Sequence, residues 1–266
     1  RYVQGSRRQY QAVARRLKLA IIDIRVQLGT MPIWGTAFTE GHLTRMMERY
    51  GIERAVVSAT TANSSDFVKG NAQTKSIVGK GRIFGCAVVN TQYPAESIED
   101  MRQYLALPSF AALMILSGRP GYPVTLDECS DILNAHRRFA KPVLLETPDK
   151  SAVFAADQIA RAFPGIKFVM LGMGGSAWRT AVAVADKTLN LVLEVSGNLS
   201  PDKITVGAAT VGAHRMVFGS NLPFADPAAS IGLVLDGEIP DADKQMIFAG
   251  TARRMFGWGG QSAPAE

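Results

Sequence analysis

The chain has 266 residues, of which 47% are hydrophobic, and its formal net charge is +6. This length suits one large barrel or two small domains, and the hydrophobic content suits a soluble protein with a sizeable core. No apolar run approaches the roughly 18 residues of a membrane span, so we expect no membrane partner. Two cysteines, Cys86 and Cys129, are too few for a disulfide framework, which predicts a reducing, cytoplasmic location.

A basic leader segment covers residues 1–19. It contains no acidic residue, and its charge lies mostly in Arg7, Arg8, Arg15, Arg16 and Lys18. No nucleic-acid-binding motif follows the leader, and no run of aromatic residues is interleaved with its charges. We therefore interpret it as a solvated leader or as an amphipathic helix packed on the rest of the chain, and we expect no nucleic-acid partner.

Eight segments rich in Val, Ile, Leu and Phe predict strands that are buried on both faces of a parallel sheet. Amphipathic helical patterns follow most of them, from Thr39–Tyr50 to Asp241–Phe256. This alternation predicts the α/β class and a single (β/α)8 TIM barrel over residues 20–257, with a flexible tail over residues 258–266. The predicted strands are Ala20–Val26, Arg54–Thr60, Ile83–Asn90, Ala111–Leu116, Pro142–Glu146, Lys167–Gly172, Asn190–Val195 and Arg215–Ser220.

Polar side chains stand at or just after the ends of several predicted strands. The active site of a (β/α)8 barrel lies at the C-terminal ends of its strands, so these residues are the candidates for chemistry. They are Arg25, Gln27, Ser58, Asn90, Glu146, Glu194, Ser196 and Asn221. Arg119, in a loop rich in Gly and Pro after the fourth strand, is a further candidate for binding an anion at the same end.

Five segments, in order and at barrel spacing, resemble the amidohydrolase-related family of metal-dependent hydrolases, lactone hydrolases and aromatic-acid decarboxylases. They resemble the first, second, third, sixth and eighth strands of that family, and they are Ala20–Gly29, Arg49–Val57, Phe84–Asn90, Phe163–Gly175 and Arg215–Phe224. The resemblance covers nearly the whole chain after residue 20. It implies a single barrel, a divalent metal ion at the barrel mouth and a homodimer.

The resemblance also identifies the positions at which the family holds its metal ligands, and all of them are substituted in this chain. Arg25 and Gln27 stand in place of two histidines on the first strand, and Glu146 stands in place of a histidine on the fifth. Gly172 replaces a histidine on the sixth strand, and Asn221 replaces an aspartate on the eighth. A guanidinium offers no lone pair, and only Glu146 is a good ionic ligand. We therefore predict no metal ion and no other cofactor.

The three histidines of the chain do not compensate for these substitutions. His42 and His136 fall in helical segments, and His214 precedes the last strand, near the opposite end of the barrel. We interpret all three as ordinary surface or capping residues, because none of them reaches the predicted mouth.

One motif favours a different ligand. Gly172–Ala177 fits the G-x-G-x-x-A fingerprint of dinucleotide binding, and Glu194 follows at the place of a ribose-binding acid. The motif lies in the sixth of eight units rather than at the start of a doubly wound sheet, and the family resemblance accounts for both glycines. We interpret it as coincidental, with phosphate binding at that helix N-terminus as a minor alternative.

Arg25 and Glu146 carry opposite charges at one end of the predicted barrel. A buried charge is costly unless it is paired, so an ion pair between them is the simplest expectation, and it would fill the former metal site. Alternatively, Arg25 acts as an electrophile or anion clamp, and Glu146 or Glu194 acts as a general base. The substrate-binding residues would then be Gln27, Arg119, Ser196 and Asn221.

Three classes of function fit these residues. The leading hypothesis is a divergent, metal-free pseudoenzyme that binds a small acidic ligand or a partner subunit. The second is a metal-independent hydrolase, lactonase or lyase that acts on a carboxylate-bearing small molecule. The third is a non-catalytic partner of an active paralogue, docked through the barrel helices and the basic leader.

Overall fold

Short apolar strands pair in sequence order around one curled sheet in the computed structural model, which describes residues 20–31, 35–79, 81–200 and 202–259. A short second strand pairs antiparallel with the first, and all the other neighbouring strands are parallel. The strands are β1 Ile21–Thr30, β2 Ala37–Phe38, β3 Ile52–Ala59, β4 Ile83–Asn90, β5 Phe110–Leu116, β6 Val143–Glu146, β7 Phe168–Leu171, β8 Leu191–Glu194 and β9 Met216–Val217.

Backbone hydrogen bonds join the two edges of the parallel part of the sheet. Ile24 N donates to Phe218 O at 3.2 Å, and Gln27 N donates to Leu222 O at 2.8 Å. These bonds bring the segment after β9 against β1, so the eight parallel strands surround one interior. The predicted (β/α)8 barrel is confirmed.

Helices cover the outside of the sheet. Several of them begin at a side chain that caps the first turn, as Asp66 and Asp149 do for α3 and α6. The helices are α1 Glu40–Tyr50, α2 Thr60–Ser64, α3 Phe67–Ile77, α4 Pro94–Leu105, α5 Leu126–His136, α6 Lys150–Ala162, α7 Trp178–Lys187, α8 Asp202–Val211, α9 Pro227–Asp236, α10 Asp241–Gln245 and α11 Thr251–Met255.

Successive strand residues contribute to two apolar layers. Val56 and Leu144 belong to the layer that fills the barrel, whereas their neighbours Val57 and Leu145 belong to the layer between strands and helices. Both layers are buried, which explains why the strands read as continuous apolar runs rather than alternating ones. Cys86 is buried in the inner layer.

A bulge interrupts the pairing of β1 with β3 near the mouth. Asp23 pairs with Ala55 and Val26 pairs with Val57, so β1 contains one residue more than β3 between these pairs. The bulge includes Arg25, and Arg25 and Gln27 line the same small void in the barrel interior.

Two helical segments differ from the sequence prediction. No helix was predicted between the second and third strands, where α2 and α3 occur. The predicted helix Asp241–Phe256 is interrupted by a wider, π-type turn at Met246–Gly250, and Phe218 N donates to the carbonyl of Ile247 within that turn at 3.0 Å. This contact ties the turn to the end of β9.

The two ends of the predicted domain lie partly outside the described residues. The structure does not describe the predicted leader, residues 1–19, or residues 260–266 of the predicted tail. Trp258, which the prediction placed in the flexible tail, packs its ring 4.4 Å from that of Phe84 and 4.6 Å from that of Phe256. The packed chain therefore continues past residue 257. In the part of the chain that the structure describes, no helix is long and apolar enough to cross a membrane.

Candidate functional site

Arg25 lies at the centre of a charge cluster at the C-terminal end of the barrel. Its Nη2 donates to both oxygens of Glu146, at 2.8 Å to Oε1 and 2.7 Å to Oε2. Its Nη1 donates to Ser196 Oγ at 3.0 Å and to Glu194 Oε2 at 3.4 Å. The ion pair expected between Arg25 and Glu146 is present, and Glu194 is a second acidic partner.

Glu194 is fully buried and receives hydrogen bonds from backbone as well as side chains. Gly172 N donates to Oε2 at 2.8 Å, Ser196 N donates to Oε1 at 2.7 Å, and Ser196 Oγ donates to Oε2 at 2.8 Å. Gly219 must lack a side chain here, because a Cβ would lie 2.4 Å from Glu194 Oε1. Donors therefore surround this carboxylate, which holds Arg25 and the neighbouring turns in place.

The charge state of Arg25 follows from its two partners. Burial alone would lower the pKa of Arg25, but the nearby carboxylates of Glu146 and Glu194 raise it above its ordinary value. The guanidinium is thus a permanent cation at the point where the first, fifth and seventh barrel strands converge. Its Nε is buried and has no hydrogen-bond partner among the described residues.

Two buried charged residues near this cluster were missed by the sequence analysis. Lys203 is fully buried, and its Nζ donates to Ser196 O at 2.9 Å. Burial lowers the pKa of Lys203 to about 8, against the opposing effect of Glu194. A signal was available, because Lys203 lies four and eight residues before Gly207 and Val211 on the buried face of α8.

Asp23 is the second missed residue. Its Oδ1 accepts hydrogen bonds from Arg25 N at 3.1 Å and from Ser220 N at 2.9 Å. Asp23 thereby connects β1 to the segment after β9, where the barrel closes. Burial raises the pKa of Asp23 to about 7, because its carboxylate is removed from water.

The remaining predicted site residues lie around this cluster without joining it. Gln27 and Ser58 line the small void beside Arg25. Asn221 has a left-handed backbone, with φ of 62°, and its carbonyl accepts from Phe224 N at 2.9 Å. Across the described residues, no hydrogen bond links the Asn221 side chain to Arg25.

Arg119 lies on the wall of a separate cleft. It forms an ion pair with Glu128, and its guanidinium lies 5.3 Å from the ring centre of Tyr122. The cleft has a volume of about 830 Å³ and is bounded by the ends of β4, β5 and β6 and by nearby loops. Glu146 also lines this cleft, and 37% of its side chain is exposed, so the cleft leads to the acidic partner of Arg25.

The histidines differ from their prediction at one position. His42 and His214 are exposed, and His42 Nδ1 accepts from Thr39 N at 3.1 Å in the cap of α1, as predicted. His136 is instead fully buried, so the surface interpretation is wrong for it. Burial lowers the pKa of His136 to about 4, with a smaller contribution from Lys141, and neither ring nitrogen has a partner among the described residues.

The Gly172–Ala177 turn uses its backbone donors internally. Gly172 N donates to Glu194, and Gly174 N donates to Thr147 Oγ1 at 3.2 Å. A side chain at Gly172 would place a Cβ 3.4 Å from Arg25 Nη1, and its φ of +71° also favours glycine. Gly172 is thus explained by its backbone conformation, and a Cβ at Gly174 would lie 2.9 Å from Val153 Cγ2, so neither glycine requires a nucleotide.

The donor set at the mouth is small. Within residues 20–31, 35–79, 81–200 and 202–259, no group of three or more His, Cys, Asp or Glu side chains is placed to hold a metal ion. The two acidic side chains that converge here, Glu146 and Glu194, have the guanidinium of Arg25 between them.

Comparison with known sequences places the chain in a family. A sequence model of the family described as Amidohydrolase matches residues 36–258, which is more than half of the chain. The chain therefore belongs to the amidohydrolase family. Strand β1, which carries Arg25 and Gln27, precedes the matched residues. No curated protein matches the chain.

Solved structures of low sequence identity share the fold. A 2,6-dihydroxybenzoate decarboxylase from Rhizobium has a TM-score of 0.72 and 13% identity, over 91% of this chain and 100% of that one. A dihydroxybenzoic acid decarboxylase from Polaromonas sp. JS666, solved with manganese and the inhibitor 2-nitroresorcinol, has a TM-score of 0.71 and 16% identity, over 91% and 98%. An uncharacterized TIM-barrel protein from Bordetella bronchiseptica has a TM-score of 0.73 and 18% identity, over 91% and 100%.

Proposed function

We propose that this amidohydrolase-family barrel is a pseudoenzyme, which holds no catalytic metal ion and binds a small molecule at its mouth without converting it. The observation that carries the proposal is the position of Arg25, whose guanidinium is bonded to Glu146 and Glu194. A permanent cation occupies the place at which these two carboxylates converge.

The chemistry of the residues at the mouth does not fit a divalent cation. Zinc sites use three or four nitrogen, sulfur or carboxylate ligands. Here both oxygens of Glu146 already accept from Arg25, and Glu194 accepts from Arg25, Ser196 and Gly172. A divalent ion would have to displace the guanidinium and then stay beside a group of the same sign, which is unfavourable in a partly buried site.

The same contacts argue against acid–base catalysis by these carboxylates. A general base must have an oxygen free to approach the proton that it abstracts. Glu194 is fully buried with several donors, and the two oxygens of Glu146 face Arg25. The expected acidic ligand would likewise have to separate Arg25 from both carboxylates before the guanidinium could bind it.

One observation favours a second candidate, a metal-independent hydrolase, lactonase or lyase. Glu146 lies on the wall of the large cleft with 37% of its side chain exposed, so a substrate in the cleft would reach it. In this alternative, Arg25 serves as the anion clamp and Glu146 as the base. The test is product formation by the metal-free protein. Loss of product in Glu146→Gln, together with normal product formation in the exposed control Glu99→Gln, would favour the enzyme.

The partners of the chain remain predictions. The family resemblance predicts a homodimer, and docking to an active paralogue is the alternative for a non-catalytic member. Sedimentation of the purified chain at micromolar concentration would distinguish a dimer from a monomer, and neither result bears on the proposed loss of the metal ion.

Metal content and turnover on one preparation test the proposed function. The untagged full-length chain would be incubated with Mn²⁺ or Zn²⁺, desalted and examined by elemental analysis. The same samples would be assayed for carbon dioxide release from 2,6-dihydroxybenzoate, the acid named for the structural neighbours. We expect metal far below one ion per chain and no release above the rate without protein. One tightly held ion per chain, or catalysed release, would refute the proposal.

A further inference from the structure

The large cleft between Arg119 and Glu146 has an acidic lining, although the whole chain is basic. Four acidic side chains and one basic side chain line it, whereas the chain carries a formal charge of +6. Arg119 is paired with Glu128 and Glu146 is paired with Arg25, so both of these side chains are largely neutralised. The net charge of the cleft therefore comes from the other three acids, which are Asp66, Glu96 and Asp149.

Each of these three acids stands at the beginning of a helix. Asp66 and Asp149 cap α3 and α6, where they accept from Lys69 N at 2.9 Å and from Ala152 N at 3.0 Å. Glu96 lies in the first turn of α4. A helix N-terminus carries a partial positive charge of roughly half an elementary charge, which attracts anions. At each of these three helices, a carboxylate of the chain itself already lies beside that charge. At these three helices the N-terminus is therefore already occupied by a carboxylate of the chain, and the acidic side chains of the lining outnumber the basic one.

Aromatic side chains border the same cleft and are unusually exposed. Tyr93 and Tyr122 are 54% and 65% exposed, and the rings of Phe67 and Tyr93 lie 6.5 Å apart. The ring of Tyr122 already faces a cation, because Arg119 lies over it at 5.3 Å. Exposed aromatic rings around a concave site are typical of ligand binding, and their faces attract cations.

The wall of the cleft near Asn63 is held by hydrogen bonds within the protein. The side-chain nitrogen of Asn63 donates to Ser58 Oγ at 2.7 Å and to Ala59 O at 3.0 Å, which fixes the orientation of the amide. The oxygen, Oδ1, is buried and has no donor among the described residues.

We propose that the cleft binds a small organic cation, an amine or ammonium group on an apolar body. The proposal rests on the proposed non-catalytic function and gives its ligand a chemical class. The cation lies against Glu96 and the face of Tyr93, which are three residues apart at the beginning of α4, and the apolar body lies among Phe67, Tyr122 and the neighbouring prolines. This ligand is opposite in charge to the acidic molecule that the sequence predicts for Arg25.

Three probes that share one body and differ only in charge test the proposal. They are 3-phenylpropylamine, 3-phenylpropanol and 3-phenylpropanoate, titrated into the metal-analysed full-length protein and followed by ligand-observed NMR in low salt. We expect the amine to bind roughly tenfold more tightly than the carboxylate, and high salt to remove most of that difference because the charges are exposed. Saturable binding of the carboxylate at equal or higher affinity would overturn the proposal, as would the absence of amine binding up to about 10 mM.

Matched variants locate the site. Glu96→Gln should weaken amine binding about threefold, the effect of one exposed charge pair, and leave the alcohol unaffected. Glu99→Gln, on the same helix but outside the cleft, should change neither affinity. Tyr93→Leu keeps an apolar side chain but removes the ring, and it should weaken the amine more than the alcohol. Equal effects of Glu96→Gln and Glu99→Gln would contradict the site.

The outcome is separable from the test of the proposed function. Stoichiometric metal or turnover of 2,6-dihydroxybenzoate would refute the non-catalytic function whatever the charge preference of the cleft. Preference for the carboxylate in a metal-free, inactive protein would overturn the cation proposal alone.

Discussion

Arg25→Met removes the guanidinium from the barrel mouth and keeps an unbranched apolar side chain that fills much of the same space. In the wild-type protein Arg25 donates to Glu146, Glu194 and Ser196. The variant leaves the carboxylate of Glu194, which is fully buried, without its hydrogen-bonded cationic partner, and Lys203 stays as a more distant charged neighbour. We therefore expect a large loss in the free energy of unfolding.

The magnitude follows from the different surroundings of the two carboxylates. Removing one partner of a buried ion pair costs about 3–5 kcal/mol. Glu194 keeps the donors Gly172 N, Ser196 N and Ser196 Oγ, which reduces the cost of burying its charge alone. Glu146 is 37% exposed, so water replaces Arg25 there and the contribution of that pair is small. We expect Arg25→Met to lower the free energy of unfolding by about 3 kcal/mol, the lower end of that range.

Urea unfolding at pH 7, followed by circular dichroism, measures this change from the midpoint and the slope. Arg161→Met is the control, because Arg161 forms an exposed ion pair with Asp157 and should change stability by less than about 1 kcal/mol. Adding Glu194→Gln to Arg25→Met should recover part of the loss, since it removes the uncompensated charge. A loss no larger for Arg25→Met than for Arg161→Met would refute the assignment of Arg25 as the electrostatic centre of the mouth.

Three further substitutions test buried groups. The pKa of Asp23 in the folded protein is raised to about 7, so between about pH 4 and 7 the folded protein keeps a proton on Asp23 that the unfolded chain has lost. The free energy of unfolding should therefore fall as the pH rises through this range. In urea unfolding, Asp23→Asn should remove this dependence on pH. The pKa of His136 in the folded protein is lowered to about 4, so the free energy of unfolding should decrease as the pH falls from about 6.5 to 4. His136→Leu should abolish this decrease. The same pH dependence in the wild type and in His136→Leu would show that His136 stays solvated. Gly219→Ala places a Cβ 2.4 Å from Glu194 Oε1 and should lower the free energy of unfolding by about 1–3 kcal/mol, measured by thermal unfolding. Gly165→Ala is the neutral control, because a Cβ there meets no atom within 4 Å. Equal melting temperatures of the two variants would contradict the close packing at Gly219.

The order of strands was predictable because each strand is a short apolar run buried on both faces. Ile83–Asn90 was predicted with the bounds that β4 has. Helix α3 was missed because its buried face consists of Gly70, Asn71 and Thr74, so no apolar stripe marks it as a helix. Gly70 is there because α3 packs closely on α2, where a Cβ would lie 2.2 Å from the backbone nitrogen of Ala62.

The candidate site was predictable to the extent that it depends on strand ends. Arg25, Glu146, Glu194 and Ser196 were named from their places in the sequence, and the structure brings them together. The burial of Lys203 was missed although its spacing from Gly207 and Val211 places it on the buried face of α8; its contact with Ser196 O depends on the tertiary structure.

The sequence by itself determined which residues reach the mouth, because the C-terminal ends of parallel strands meet at one end of a barrel whatever the side chains are. Only the tertiary structure decided how they pair. Arg25 is separated from Glu146 by 121 residues and from Glu194 by 169, and the folded barrel brings its guanidinium into contact with both. The acidic cleft is likewise a tertiary feature, because its lining comes from several loops that approach one another only when the barrel closes. Hydrogen bonds and charge interactions act over a few ångströms, so their pattern follows from the folded positions and not from spacing along the chain.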